Sequence, residues 1–299
     1  HVFKLQQQLA NFFDNNVDSV RYKTYFNYTT RNAQAFQFKD SWNILTNEFS
    51  LITFPDKNNQ SQFLKAGIGV QNIKGTLDTF NTVSLNNILV AGEYRNRTKN
   101  QVWDVEAKGE FYLNGFNSGD YSAYISMKRL LGKKIGFLNL GFHNVNRSPS
   151  YIFNSLSTFP IANRVGYNKE NIIRVFGVYE NPSKNLTITG EYNVVSNYLY
   201  FDSFFTAKQE ATLFNVLQFG VSKKIKLAKH FNWYAELNMQ QVIGGAPVNI
   251  PSIITRNRFA FEGNFYTNLF LSTGVELRYN TAYKADNYSP LLGQFFYQN

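Results

Sequence analysis

The chain predicts an all-β fold: an up-and-down antiparallel barrel that crosses a membrane with its strands. Three observations carry that prediction. Apolar and polar residues alternate with period two in one segment after another, as a wall with unlike faces requires. The segments are roughly 10–13 residues long, close to the 9–11 that a tilted membrane strand needs. Short and long connections alternate in phase, as they do when one rim faces the periplasm and the other the outside.

The clearest segment is Gln101–Leu113, QVWDVEAKGEFYL. Trp103, Val105, Ala107, Phe111 and Leu113 fall on one face, and Asp104, Glu106, Lys108 and Glu110 on the other. Taken in order, the first segment sets Val20, Tyr22, Phe26 and Tyr28 opposite Arg21, Lys23 and Asn27. Residues 64–70 set Leu64, Ala66, Ile68 and Val70 opposite Lys65, and residues 87–95 set Ile88, Val90 and Tyr94 opposite Glu93 and Arg95. Ala123, Ile125 and Met127 alternate with Ser122, Ser126 and Lys128; Leu138, Leu140 and Phe142 alternate with Asn139, Gly141 and His143. The second half repeats the pattern. Leu186, Ile188 and Tyr192 oppose Thr187, Thr189 and Glu191, and Phe231, Trp233 and Leu237 oppose Asn232, Glu236 and Asn238. Phe259, Phe261 and Phe265 face away from Arg256, Arg258 and Glu262, and Leu277 and Tyr279 face away from Glu276 and Arg278. Segments 43–55 and 171–181 are weaker, with apolar residues on both faces. About fourteen strands are expected in this chain, in one barrel domain over residues 1–299.

Short polar turns fall at Asp56–Gln60, Asn96–Asn100, Leu131–Lys134, Asn181–Lys184, Lys229–Asn232 and Tyr266–Asn268. Longer connections are expected at Asn72–Thr82, Arg147–Glu170, Ser196–Gln209, Gln241–Ile253 and from Thr281 onward, with Asn114–Asp120 the short exception. If Asp56–Gln60 is periplasmic, this phase puts both Val2 and Tyr288–Asn299 on the outer side. Single-chain bacterial barrels close with both ends inside, so the expectation is an internal stretch of a longer barrel with further strands at both ends.

Composition agrees. Aromatic residues make up 17% of the 299-residue chain and charged residues 17%, and mean hydropathy is −0.33. No apolar run reaches the 18 or so residues of a membrane helix; a strand barrel dilutes its hydrophobicity with the alternate face. Trp42, Trp103, Tyr112, Tyr192, Trp233 and Tyr279 stand near strand ends, where an interfacial girdle would lie.

The stretch Asn257–Asn299 contains the hairpin GNFYTNLFLSTGVELRY followed by TAYKADNYSPLLGQFF. It resembles the putative porin family of Bacteroidota, large barrels of the bacterial outer membrane. The resemblance implies that location and a barrel fold. It carries no catalytic or binding motif onto this chain.

Chemistry-bearing residues are few. The chain has no cysteine and three widely spaced histidines, His1, His143 and His230, so neither a thiolate metal site nor a histidine ligand set is expected. Asp104, Glu106 and Glu110 form a carboxylate ladder on one strand. A Ca²⁺ site or an acid–base pair is one reading; ion pairing with Lys and Arg of neighbouring strands is the simpler one. No Ser/His or Asp/His enzyme pattern of the outer membrane is legible, and no cofactor is expected.

The residues expected to line the inner face are Arg21, Lys23, Lys65, Glu93, Arg95, Asp104, Glu106, Lys108, Glu110, Lys128, Arg174, Glu191, Glu236, Arg256, Arg258, Glu262, Glu276 and Arg278. Their charges nearly cancel, so an open lumen would favour anions only mildly. Much of the net +10 lies instead in turns and ends, at Lys133, Lys134, Lys223, Lys224, Lys226 and Lys229, placed to meet lipid phosphates or lipopolysaccharide. A nucleic-acid partner would need a clustered basic face with stacking aromatics, which is not seen. Passive diffusion of small polar solutes is the first functional expectation, with the apolar loop Arg147–Glu170 folding inward as a constriction. The rival is a non-conducting barrel subunit of a larger outer-membrane complex for secretion, assembly or nutrient import. That rival draws on the aromatic crowd Tyr198, Tyr200, Phe201, Phe204 and Phe205, which would offer a surface to other outer-membrane proteins.

Overall fold

A computed structural model describes residues 1–30, 36–77, 81–162 and 166–298. Its main element is one 13-stranded antiparallel sheet whose strands follow each other in chain order. The strands are β1 (Val2–Asp14), β2 (Phe36–Thr53), β3 (Gln62–Leu77), β4 (Asn81–Arg97), β5 (Trp103–Gly115), β6 (Tyr121–Gly132), β7 (Gly136–Arg147), β8 (Glu170–Asn181) and β9 (Leu186–Ser196). A small hairpin, β10 (Tyr198–Phe201) with β11 (Ala207–Glu210), intervenes. The sheet resumes with β12 (Phe214–Lys226), β13 (Phe231–Ile243), β14 (Ile253–Phe265) and β15 (Leu269–Asn280). A second hairpin, β16 (Asn287–Ser289) with β17 (Gln294–Phe296), follows, and one helix, α1 (Ser19–Phe26), lies between β1 and β2. The order is open: β1 and β15 are its edges, and no ladder joins them among the described residues.

Directly paired residues share a face, so the register can be followed around the wall. One row runs Lys65, Glu93, Lys108, Tyr124, His143, Arg174 and Asn193 from β3 to β9. The row beside it, on the opposite face, runs Leu64, Tyr94, Ala107, Ile125, Phe142, Val175 and Tyr192. Ile125 is 50% exposed and Val175 49% exposed. A continuous apolar wall at that exposure needs a hydrocarbon solvent, and a charge placed there would cost about 2–4 kcal/mol at the bilayer midplane.

The short turns fall where the sequence places them, between β2 and β3, β4 and β5, β6 and β7, β8 and β9, β12 and β13, and β14 and β15. Four expectations need correction. Residues 20–28 form no strand. Asp18 caps a helix there, accepting from the amides of Val20 and Arg21, and Asn27 closes it in the left-handed region at φ 49°. Tyr22 and Phe26 suit both periods, since they are separated by four residues and share a helix face; the caps decide the outcome. Arg21 and Lys23 therefore leave the wall. Second, Val2 pairs with Glu48, which puts it toward the short-turn end and not the outer side. Third, Asn72–Thr82 is mostly strand, because β3 and β4 pair out to Leu77 and Asn81; residues 78–80 lie outside the described set. Fourth, the sheet has thirteen strands, because the segment beginning at Val20 left it.

At the outer end of segment 43–55 the loss of alternation has a physical reason. The outer half of β2 is covered on its inner side too: Trp42 and Ile44 pack with Ile73 and Leu77, and Tyr151 of the β7–β8 loop lies on them. The ring of Trp42 lies flat on Gly75, where a Cβ would come within 2.6 Å of it. A second buried cluster gathers Phe159, Ile161, Phe201, Ala207, Leu292 and Phe296 against Ala10, Phe12 and Phe38 of β1 and β2. The β7–β8 loop, the β10–β11 hairpin and the segment after β15 thus converge on the face that carries the charges.

Candidate functional site

The register brings together sixteen of the eighteen residues expected to line the inner face. Lys65 through Arg278 share one side of the sheet, from β3 to β15, through direct pairs such as Arg95 with Glu106, Asp104 with Lys128, Glu236 with Arg256, and Arg258 with Glu276. Only Arg21 and Lys23 are displaced.

The charges neutralise one another along the wall. Lys65 meets Glu48 at 2.7 Å. Asp104 is held by Arg95 at 3.3 Å and Arg97 at 2.6 Å. Lys108 pairs with Glu106 and, at 3.7 Å, with Glu93. Lys128 reaches Glu180 and Arg174 reaches Glu191, each at 2.6 Å. Glu262 takes Lys224 at 3.1 Å and Arg258 at 3.6 Å, and Glu276 takes Arg256 at 2.8 Å and Arg278 at 2.6 Å. The carboxylate ladder of β5 is thus engaged by cations of β4 and of its own strand, while Glu110 bonds the Tyr112 hydroxyl. Such half-exposed pairs contribute little to stability singly; their effect is a polar wall with little net field.

Glu48, Arg97 and Lys224 (with Lys226 two residues on) belong to this face and were not anticipated on it. Glu48 was hidden by the blurred alternation of 43–55, and the others by their closeness to turns. Parity counted outward from Lys65 or Tyr234 would have found them. Tyr234 is also engaged, with Arg258 at 4.2 Å and Lys224 at 4.9 Å over its ring. A recess of about 430 Å³ opens beside these residues, Glu236 and Arg256.

The β7–β8 loop is fastened to this face by two carboxylates. Asp40 is buried on β2. It accepts from Ser157 Oγ at 2.5 Å, Thr158 Oγ1 at 2.6 Å and the Thr158 amide at 3.1 Å. Asp120, in the turn before β6, holds both roots of the loop: Ser148 through its amide at 3.0 Å and Lys169 Nζ at 2.5 Å. Arg147 and Glu170 close the loop base as a cross-strand ion pair at 2.6 Å. Tyr151 stacks on Trp42 at 4.5 Å. Beneath the loop a cavity of about 300 Å³ remains, lined by Gln6, Gln71, Glu110, Tyr112 and Val145.

The aromatic crowd turns onto its own chain. Phe204 meets Phe296 at 4.7 Å and Phe26 of α1 at 5.4 Å; Tyr28 meets Phe205 at 5.4 Å. Phe201 is 4% exposed.

Sequence reasoning also missed that Ser122 Oγ lies 3.1 Å from His143 Nε2. A nucleophile and base at that distance satisfy one requirement of acyl transfer, yet the backbone amides around them are engaged in the sheet ladder, so no oxyanion site stands beside the pair. Among the described residues no group of His, Asp and Glu is arranged to hold a metal ion.

A sheet with one lipid-facing side and one charged side defines an outer-membrane β-barrel protein of the transport class. A family profile described as "Putative porin" matches residues 1–299; the chain belongs to that family. Among solved structures, it is similar to a mutant of the ferric enterobactin receptor PfeA of Pseudomonas aeruginosa. The TM-score is 0.66 at 12% identity, over 98% of this chain and 48% of that one. It is similar also to the copper transporter OprC, with TM-score 0.59 at 11% identity, over 88% of this chain and 48% of that one. The chain spans about half the length of these structures, and the likeness is one of fold. No curated protein matches it.

Proposed function

We propose that the barrel to which this chain contributes lets small polar solutes diffuse passively across the bacterial outer membrane, along the charged face. The observation that carries this reading is the self-paired ladder. Twelve basic and ten acidic side chains share one face, if Lys4, Arg97, Lys224, Lys226, Glu48 and Glu180 are counted with the sixteen. A wall so nearly neutral wets readily and binds no single ion firmly, which suits transit more than capture. No step of this function makes or breaks a covalent bond.

The test is single-channel recording of the full-length protein in a planar bilayer under a salt gradient. Stable steps with a reversal potential close to zero, shifted slightly toward anions, support the reading. A silent bilayer, with insertion shown by heat-modifiable gel mobility, would overturn it.

A second reading has its own support. The loop fastened by Asp40 and the apolar cluster on β1 and β2 narrow the charged side, as a closed barrel subunit of a larger outer-membrane complex would have them. Under that reading the silent bilayer is the expected result, and co-purification of partner proteins replaces conductance as the measurement.

A further inference from the structure

The net charge of this chain is concentrated at one rim. The turns on the short side carry Lys57, Lys99, Lys133, Lys134, Lys184 and Lys229, and the lipid-facing side of the adjoining strands adds Arg129 and Lys223. Against these eight stands one acid, Asp56, 3.9 Å from Lys99. The charged inner face is almost balanced, as counted above. The long-loop side is balanced too. Its described basic residues, such as Lys39, Lys169 and Lys208, number eight, and its acids, such as Asp14, Asp120 and Glu210, also number eight. Most of the excess of +10 therefore sits on the short-turn rim.

The setting of these cations identifies what they face. Lys133 and Lys134 stand between Leu131, 40% exposed, and Ile135, 52% exposed; Lys229 follows Leu227, 56% exposed, and precedes Phe231, 53% exposed. Arg129 lies 4.6 Å over the ring of Trp103 on the lipid-facing side, and Trp233 occupies the same side of β13. Cations set among exposed apolar and indole side chains, at the edge of an apolar wall, have the makeup of a membrane interface. A protein-binding patch would not need to continue the lipid face. In barrels of this kind the short turns are periplasmic, so the leaflet they meet is the phospholipid leaflet.

We propose that this rim is a selective site for anionic phospholipid headgroups, which collect around the short-turn end of the barrel in preference to zwitterionic ones. The inference is independent of whether the lumen conducts. A lysine at the surface favours an anionic lipid by about fivefold, and the preference falls with salt as the screening length shrinks from about 10 Å at 0.1 M to about 3 Å at 1 M.

The chain has three tryptophans, and two of them report on this rim. Trp103 and Trp233 face lipid beside it, while Trp42 is 2% exposed on the inner side and supplies a constant background. The full-length protein, with any tryptophan outside this chain replaced by phenylalanine, is reconstituted with brominated phosphatidylglycerol or brominated phosphatidylcholine at equal mole fraction, and tryptophan quenching is compared. Stronger quenching by phosphatidylglycerol is expected. The preference should shrink severalfold in 1 M NaCl and severalfold in K133Q/K134Q/K184Q/K229Q, which removes four of the eight rim cations at exposed turn positions and leaves the sheet intact. The corresponding four-arginine variant should keep it. Equal quenching by the two lipids would overturn the proposal, as would a preference that is undiminished in the glutamine variant. Equal quenching together with lysine-dependent binding of a periplasmic protein would reassign the rim to a protein partner.

Discussion

The fastening of the β7–β8 loop to β2 rests on Asp40, and its removal should free the loop by a calculable amount. The carboxylate accepts two hydroxyls and one amide, at 2.5, 2.6 and 3.1 Å. A hydrogen bond to a charged acceptor contributes about 1.5–3 kcal/mol, so the three together set an upper bound of about 9 kcal/mol. Two corrections lower it. The hydroxyls of Ser157 and Thr158 find water once the loop opens, whereas the Thr158 amide is the donor that loses most. Phe159 and Ile161, buried in the neighbouring cluster, also keep the loop partly in place. A net loss of about 2–3 kcal/mol in docking is expected for Asp40→Ala, and about half that for Asp40→Asn, which keeps one acceptor oxygen. The assay is amide hydrogen exchange of the protein in nanodiscs, read at residues 157–161. A loss of that size speeds exchange there by a factor of about 30–150, while the amides of β7 and β8 keep their protection. Single-channel steps should widen in parallel if the loop narrows the lumen. Unchanged exchange at Thr158 and Phe159 would refute the reasoning, because it would mean that the apolar cluster alone holds the loop.

Further outcomes follow from the same geometry. Leu140→Arg, at a 48% exposed position in the middle of β7, should cost about 2–4 kcal/mol of stability in lipid. Asn139→Arg, one residue away on the charged face, should be tolerated; equilibrium unfolding in vesicles compares the two. Gly141→Ala would set a Cβ within 2.2 Å of the Phe176 ring, displacing that ring from its stack with Tyr124 at a cost of about 1–3 kcal/mol, measured as a lower transition in heat-modifiable mobility. At the outer rim, Tyr22 donates to Asp14 at 2.5 Å. That bond holds the Asp14 carboxyl below its usual value, and burial with the same bond pushes the Tyr22 phenol up. A depressed acid contributes above its unfolded pKa of about 4, and a raised phenol below its unfolded value of about 10. Attachment of α1 should therefore weaken as pH falls below about 4 and again above about 10. Spectrophotometric titration should show one late-titrating tyrosine fewer in Tyr22→Phe than in the parent protein.

The wall was legible because one rule governs it everywhere. A residue's parity decides whether it meets lipid or water, and the lipid side penalises every charge by more than any local propensity can offset. Lys65, Glu93, Lys108 and Arg174 could therefore be assigned to one face with no knowledge of what lay beside them. The rule fails where its premise fails. Around Trp42 and Ile44 both faces are covered, one by lipid and one by the β7–β8 loop, so both parities become apolar and the signal disappears. At residues 20–28 the chain has left the membrane, and Asp18, just before the segment, and Asn27, read as a polar-face strand residue, were the two that mattered. Which acid meets which base was also out of reach. Glu106 finds Lys108 two residues on along its own strand, but Glu180 finds Lys128 of β6, two strands away in the sheet, and such choices depend on twist and rotamer, which period two does not encode.

The aromatic crowd at Tyr198–Phe205 invites comparison with the lipid face, because both are apolar surfaces with different owners. On the wall, Phe142 and Val175 touch only their neighbours in the sheet and remain exposed; in the crowd, Phe201 is covered, and Phe204 and Phe205 have partners in α1, Tyr28, β17 and each other. Aromatics that had to dock a partner protein would be left uncovered in the isolated chain, as those facing lipid are. Their coverage by segments distant in sequence makes them a local core at the outer rim. The apolar composition of the long loops, which on its own favours an interaction surface, thus serves first to pack those loops against the wall. Under the proposed passage of solutes, selectivity at this end would depend on what space the packed loops leave beside Gln71, Glu110 and Tyr112, and the charged ladder would act only on what had already passed them.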